Sequence, residues 1–271
     1  MASNNKVLTI DITNESITIV EVTPSNKKQS TIHNAIIFET PEDAYEDGVI
    51  RDKERIAEAI KSQLSANGIT NKNAIFVLTS TKIVNREVLV PFVKENKIKG
   101  IINANSSEYF PVNMDEYIIQ YTVLEKVEDQ GQEKIKLMVA AVPSEVVESY
   151  YGLAKALGLK VAFVDYAGNS TYQIMKQQIG PEVSLVIQVE NDGTVINIFK
   201  DNVLQLQRNV PYGKSMLVNA VMEKYGLKYE AATTKLQNET LLHSRFDGDE
   251  VTESLRYMAS NINRVIDYYV S

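Results

Sequence analysis

No cysteine occurs in the 271 residues, so neither a disulfide framework nor a thiolate metal site is available. Histidine is nearly as scarce. His33 and His243 are far apart, and neither has a second ligand type at metal spacing, so no metal site is expected. Basic clusters are missing as well. No run of Lys or Arg exceeds Lys27-Lys28, and the net charge is −7 with a pI of about 5.1, which makes nucleic acid a poor partner. No stretch approaches the ~20 apolar residues of a transmembrane helix. MASNNK runs directly into a strand pattern, without the charged and apolar regions of a signal peptide. These absences lead to the expectation of a cytoplasmic protein with no direct membrane insertion. Without secretion, the Asn-x-Ser/Thr triplets at Asn14, Asn105, Asn169 and Asn238 are chance matches.

What remains is ordinary globular composition, 44% hydrophobic and 23% charged, long enough for a sizeable core or two small domains. Alternating apolar residues predict strands over 6–12, 16–22 and 30–38, and the spacing of Ile56, Ala57, Ile60 and Leu64 predicts a helix over 52–66. AIFVLTS closes this first unit as a buried strand. A second unit reads strand 82–90, helix 94–107, strands 117–126 and 134–142, then helix 144–157 between Pro143 and Gly158. KVAFVDY at 160–166 is a strand leading into a helix that runs to about 178. From 183, SLVIQV, TVINIF and VLQLQRNV are three strands joined by Asn191-Asp192-Gly193 and Lys200-Asp201-Asn202, both tight-hairpin chemistry. Helices follow at 213–224, 229–237 and 250–270, the last with an apolar stripe of Val251, Leu255, Met258, Ile262, Val265 and Tyr269.

The third unit repeats the first: strand, polar turn, strand, turn, strand. The turn at Asp11–Ser16 corresponds to the turn at Gln188–Gly193, which suggests two related lobes rather than a solenoid. A duplicated lobe with a phosphate hairpin in each half is the plan of actin, heat-shock chaperones and sugar kinases. Five segments in order carry a closer likeness: IDITNESITIVEV, EDGVIRDKERIAEAI, NSSEYFPVNMDEYIIQY, AAVPSEVVESYYGLAKALGLKVAFVDY and RNVPYGKSMLVNAV. With them the chain resembles the PilM family, the cytoplasmic actin-like proteins of type IV pilus assembly. The resemblance implies an α/β fold of the actin-like, ribonuclease H-like kind, with subdomain 1A over 1–80 and an inserted 1C subdomain over 81–164. The second lobe would span 165–271, with a small 2B excursion around 215–245. It would be incomplete, because the family carries a further C-terminal portion with a glycine-rich adenosine turn. The chain is therefore expected to be truncated relative to the family.

The resemblance also implies an ATP and Mg²⁺ site, in which hairpin amides point at phosphates and carboxylates organise the metal through water. Its residues here would be Asp11, Thr13, Asn14, Ser16 and Thr18 in the first turn and Gln188 and Glu190 in the second, with Gly213 and Lys214. The family's first turn resembles Asp-Ile-Gly-Ser-x-x-x-Lys. Asp11 is kept, while Thr13, Asn14 and Thr18 replace the glycine, serine and lysine. The second turn's Asp-x-Gly becomes Gln188-Val189-Glu190, placing a carboxylate where phosphate oxygens approach. Like charges at ~4 Å repel by about 1 kcal/mol in water and more in a cleft. The altered turns argue against retained ATP and Mg²⁺ binding, and no catalytic residue is picked out.

Glu42-Asp43 and Glu46-Asp47 read as a solvated loop. Asp247-Gly248-Asp249-Glu250 lacks calcium-loop spacing and reads as a helix start. Three functions follow from the resemblance. The first is a non-catalytic adaptor that docks the cytoplasmic N-terminal segment of a PilN-like inner-membrane protein, in a groove between 1A and 1C, and links it to the pilus motor. It would lie at the inner face of the membrane through that partner. Tyr109, Phe110 and Pro111 are its nominees for partner contact. The second is an active actin-like ATPase with nucleotide-gated partner binding. The third is a filament former like the division protein FtsA, although the polar side of helix 250–270 carries few basic residues for a membrane anchor.

Overall fold

The computed structural model describes residues 6–25, 29–110, 113–241 and 248–271. The chain divides into two compact units, the first ending at Ile179 and the second running Gly180–Ser271.

The first unit opens with three antiparallel strands, β1 (Val7–Ile12), β2 (Ser16–Thr23) and β3 (Thr31–Glu39). A two-residue ladder, β4 (Tyr45–Glu46) with β5 (Val49–Ile50), leads to helix α1 (Lys53–Ala66) and strand β6 (Asn73–Leu78), which returns parallel to β1. The Asp52 side chain starts α1 by accepting from the Arg55 N–H, as an N-cap does. The chain continues through β7 (Val84–Pro91), α2 (Glu95–Ala104), the short α3 (Ser106–Tyr109), β8 (Tyr117–Asp129), β9 (Gln132–Pro143), α4 (Ser144–Leu157), β10 (Lys160–Tyr166) and α5 (Ala167–Met175). The predicted helix over 94–107 is thus two pieces, interrupted at Asn105, whose side chain turns back to the Ile101 carbonyl. α4 runs between Pro143 and Gly158, the latter left-handed at φ 65°, a conformation glycine adopts without strain.

Two sheets result in this unit. The larger has the order β10-β6-β1-β2-β3, and the smaller β7-β9-β8. Leu8, Ile10 and Ile12 of β1, with Ile17 and Ile19 of β2, share one core with Ile56 and Ile60 of α1 and Tyr150 and Leu153 of α4. The smaller sheet builds its own core from Val88, Val90, Leu137, Val139 and Ala141 under Ile98 and Ile102 of α2. Pairs directly opposite across a ladder share a face, so the odd residues of β9 face α2 and its even residues face away.

The second unit holds the antiparallel strands β11 (Ser184–Val189), β12 (Thr194–Lys200) and β13 (Val203–Val210), then α6 (Lys214–Tyr225), α7 (Tyr229–Asn238) and α8 (Glu250–Val270). Asp201 and Asn202, at φ 55° and 62°, close the second hairpin with the left-handed pair such a turn requires. The apolar stripe of α8 serves two cores. Met258, Ile262, Val265 and Tyr269 pack on β12 and β13, while Val251 and Leu255 join α6 and α7. Asp249 caps α8, accepting from Val251 N–H and Thr252 N–H, so Asp249-Glu250 does begin a helix; Asp247 lies outside the described residues. β11 is an edge strand, and its Leu185, Ile187 and Val189 are 40%, 37% and 47% exposed. No described helix is long and apolar enough to cross a membrane.

Candidate functional site

Asp11 is half-buried on β1, with Thr18 of β2 and Val77 of β6 as its cross-strand neighbours. The turn beyond it is closed by a side chain. The Thr13 N–H donates to the Ser16 carbonyl at 2.9 Å, and the Ser16 N–H donates to the Thr13 hydroxyl at 3.1 Å. Thr40 braces the same turn from the end of β3, its hydroxyl donating to the Thr13 carbonyl at 2.7 Å and its N–H to the Glu15 carbonyl at 3.1 Å. Thr13 therefore uses its hydroxyl to hold the turn. Below it, burial pushes the Tyr150 phenol well up, with Tyr45 and the Asp11 charge adding to the shift.

The second turn is closed from a distance. The Glu190 N–H donates to the Gly193 carbonyl at 2.8 Å, and the amide of Gln188 donates to the Glu190 carboxylate. Onto this turn sits the N-terminus of α6. The Lys214 N–H reaches the Glu190 carbonyl and the Ser215 N–H the Asn191 carbonyl, both at 2.9 Å. The Ser215 hydroxyl adds a bond of 2.8 Å to the same Asn191 carbonyl. A Cβ on Gly213 would lie 2.1 Å from that oxygen, so only glycine permits the approach.

The structure therefore brings Gln188, Glu190, Gly213 and Lys214 together in one unit and Asp11, Thr13, Asn14, Ser16 and Thr18 in the other. A helix N-terminus ordinarily offers its N–H groups to an anion. Here two of those groups are occupied by the turn's own carbonyls, and the Glu190 carboxylate accepts from the Gln188 amide. The second turn does not fit the phosphate-holding arrangement that the resemblance implies.

Two of the nominees for partner contact pack in the core of the smaller sheet. Phe110 is 2% exposed and belongs to the core of the smaller sheet, with Tyr109 packed against it. Both rings therefore cover the odd face of β9. Pro111 lies outside the described residues.

The even face of β9 borders an open groove of about 700 Å³. Its walls come from both sheets of the first unit: Ile118, Gln120 and Thr122 of β8, Met138, Ala140 and Val142 of β9, Ile75 and Leu78 of β6, and Phe163–Tyr166 of β10. Tyr121 of β8, Val147 and Tyr151 of α4 and Asn169 of α5 complete it. β8 and β10 are edge strands of their sheets, so the groove runs between two unpaired edges. Phe163 and Tyr151 project into solvent, 69% and 53% exposed. One end is tied by hydrogen bonds. Asp165 accepts from the Tyr166 N–H at 2.9 Å, from the Asn169 amide at 3.0 Å and from the Ser170 hydroxyl at 3.2 Å. The Thr122 hydroxyl of β8 donates to Oδ1 of the Asn169 side chain at 3.4 Å. Burial pushes the Tyr166 phenol up strongly, and the charges of Asp165 and Glu87 add to it. An apolar trough with backbone edges on two sides suits an extended peptide. The sequence holds a signal for it: β8 alternates Ile118, Gln120, Thr122 with Tyr117, Ile119, Tyr121, a strand fit to be covered on both faces.

The family model for the Type IV pilus assembly protein PilM matches residues 9–271. No curated protein matches the chain. Among solved structures, the "PilM-PilN type IV pilus biogenesis complex" aligns over 97% of this chain and 77% of that one, at 18% identity and a TM-score of 0.81. The ethanolamine utilization protein EutJ from Carboxydothermus hydrogenoformans aligns over 97% and 71%, at 12% identity and 0.54. MreB5 of Spiroplasma citri bound to ADP aligns over 98% and 79%, at 10% identity and 0.51. The fold is the actin-like α/β fold.

Proposed function

The chain belongs to the type IV pilus assembly protein PilM family, and we propose that within it this protein is a non-catalytic adaptor. It takes the cytoplasmic N-terminal segment of a PilN-like inner-membrane protein into the groove between β8 and β10 and links that protein to the pilus motor. Subdomain 1A would be 1–80 and the 1C insertion 81–164, of which α4 and β10 pack with the larger sheet and would belong to 1A instead, and 165–271 would be the second lobe. The protein would sit at the inner face of the membrane through its partner.

The groove is the observation that carries this reading. It has the two properties that extended-peptide docking needs, apolar pockets and unpaired strand edges. The solved complex, whose title pairs PilM with PilN, supplies the partner class. The closed turns support an adaptor over an ATPase, because Thr13 and the N-terminus of α6 satisfy backbone groups that a phosphate would otherwise meet.

Calorimetric titration with a synthetic peptide of the partner's cytoplasmic N-terminus, with and without Mg-ATP, tests it. Micromolar binding that ignores nucleotide is expected. Phe163→Asp, a change at an exposed ring, should weaken that binding by roughly a hundredfold, as loss of an aromatic anchor does. Binding that requires Mg-ATP would instead favour the nucleotide-gated ATPase, and unchanged affinity in Phe163→Asp would move the site out of the groove.

A further inference from the structure

The walls of the groove belong to two different sheets, and two stretches of backbone join those sheets. The first is Thr79–Ile83, between β6 and β7, and the second is Pro143-Ser144, where β9 passes into α4. The angle that the sheets make at these crossings therefore sets the width of the groove. Both crossings are held by one element, the β4–β5 ladder with its flanking Arg51. At the first, the Asp47 carboxylate accepts from the Thr81 N–H at 2.7 Å and from the Thr81 hydroxyl at 2.9 Å. The Tyr45 hydroxyl donates to the Thr79 carbonyl at 3.1 Å. Gly48 brings the ladder's turn so close that an added Cβ would lie 2.7 Å from Cβ of Ser80. At the second crossing, Arg51 joins Glu46 at 3.1 Å to Glu145 at 2.8 Å, and the Ile50 N–H donates to the Ser149 hydroxyl at 3.2 Å. Glu46-Asp47 thus grips its neighbours where the sequence reads a solvated loop. No residue of the ladder lines the groove.

The two grips differ in strength. Arg51 and Glu145 are exposed, and an exposed ion pair contributes little in water. Two charge-assisted bonds from one carboxylate hold harder. Asp47 also sits at φ 42°, a left-handed backbone that Asp and Asn tolerate better than most residues.

We propose that the β4–β5 ladder clamps the hinge between the two sheets at the groove width the partner segment requires, with Asp47 as its positioning residue. This rests on the groove reading above and adds what holds the groove open. A clamped hinge presents the groove ready for the segment, whereas a released hinge must first return to that width. Apparent affinity then falls with the fraction of molecules at the competent width. Because Asp47 does not touch the groove, the loss falls on the association rate and leaves dissociation unchanged. Removing a direct contact would do the opposite.

The test compares Asp47→Gly, which keeps the left-handed backbone and removes the carboxylate, with Asp47→Asn, which restores an acceptor for the Thr81 N–H and a partner for its hydroxyl. Stopped-flow binding of the partner's synthetic N-terminal peptide to the full chain is the first readout. Asp47→Gly should associate about tenfold more slowly and dissociate at the native rate, and Asp47→Asn should behave as the native protein does. The second readout needs no peptide. The chain has no cysteine, so Glu133→Cys on β9 and Lys160→Cys on β10, both exposed, take two spin labels without background. The distance distribution between the labels should broaden in Asp47→Gly and stay narrow in Asp47→Asn. An unchanged distribution in Asp47→Gly, a faster dissociation, or an Asp47→Asn as impaired as Asp47→Gly would overturn the clamp. Failure of the native protein to bind the peptide would overturn the groove reading, while the label distances would still decide whether the ladder holds the hinge.

Discussion

The hairpins β1–β2 and β11–β12 start from similar strand patterns and end with turns sealed by different means. The first is closed by its own Thr13 hydroxyl and braced by Thr40 from the next strand. The second is closed by the N-terminus of α6, more than twenty residues along the chain, through Lys214, Ser215 and the bare backbone of Gly213. A turn sealed by a side chain depends on one hydroxyl. A turn sealed by a helix depends on a steric fit, and steric fits fail more severely than hydrogen bonds. The lesson is that two hairpins of similar strand pattern can be held by residues that differ in kind.

The largest effect that separates the two should come from Gly213→Ala. The added methyl would overlap the Asn191 carbonyl, and a loss of about 3 kcal/mol or more is expected by thermal unfolding. Faster hydrogen exchange at the Lys214 and Ser215 amides would accompany it, as α6 lifts from the turn. Thr13→Ala should cost only about 1 kcal/mol, the net worth of a hydrogen bond within the turn. If the two substitutions cost the same, the distinction between local and distant sealing collapses.

A smaller, pH-dependent effect involves two carboxylates, one in each unit. Burial raises the affinity of Glu21, on β2, for its proton, but the Lys6 ammonium at 3.1 Å and the Asn34 amide at 2.9 Å outweigh it and hold the carboxyl below its ordinary range. At the head of α8, the Thr252 N–H and then Lys224 likewise hold Asp249 low. Both lowered values stabilise the fold fully above the unfolded carboxylate range, about 4. Both contributions disappear as pH falls through the folded values. Glu21→Gln should therefore flatten the acid limb of the stability curve. An unaltered acid limb in Glu21→Gln would show that the Lys6 pair contributes nothing there.

Much of this arrangement is legible in the residues. Periodicity locates α1, α4 and α8 within a residue or two, because each carries a regular apolar stripe and its own cap. The seal on the second turn is not legible in the same way. In the sequence Gly213 reads, through the resemblance, as part of a nucleotide site, and nothing there announces its approach to Asn191. The aromatic run Tyr109-Phe110 suits a docking site and a core equally well, and alternation along β9 is what assigns it to the core. The groove's walls are scattered along the chain, over β6, β8, β9, β10, α4 and α5, so its residues are not legible beyond the alternation of β8.

The outward residues of β11 bear on how the molecule behaves in concentrated solution. Leu185, Ile187 and Val189 line an unpaired edge, the kind of surface on which strands from other molecules assemble into cross-linked sheets. Glu182 and Glu190 flank that edge in sequence, and a net charge of −7 adds mutual repulsion between molecules. Colloidal stability should thus depend on ionic strength: salt that screens these charges brings the bare edges within reach of one another, and dilute buffer keeps them dispersed.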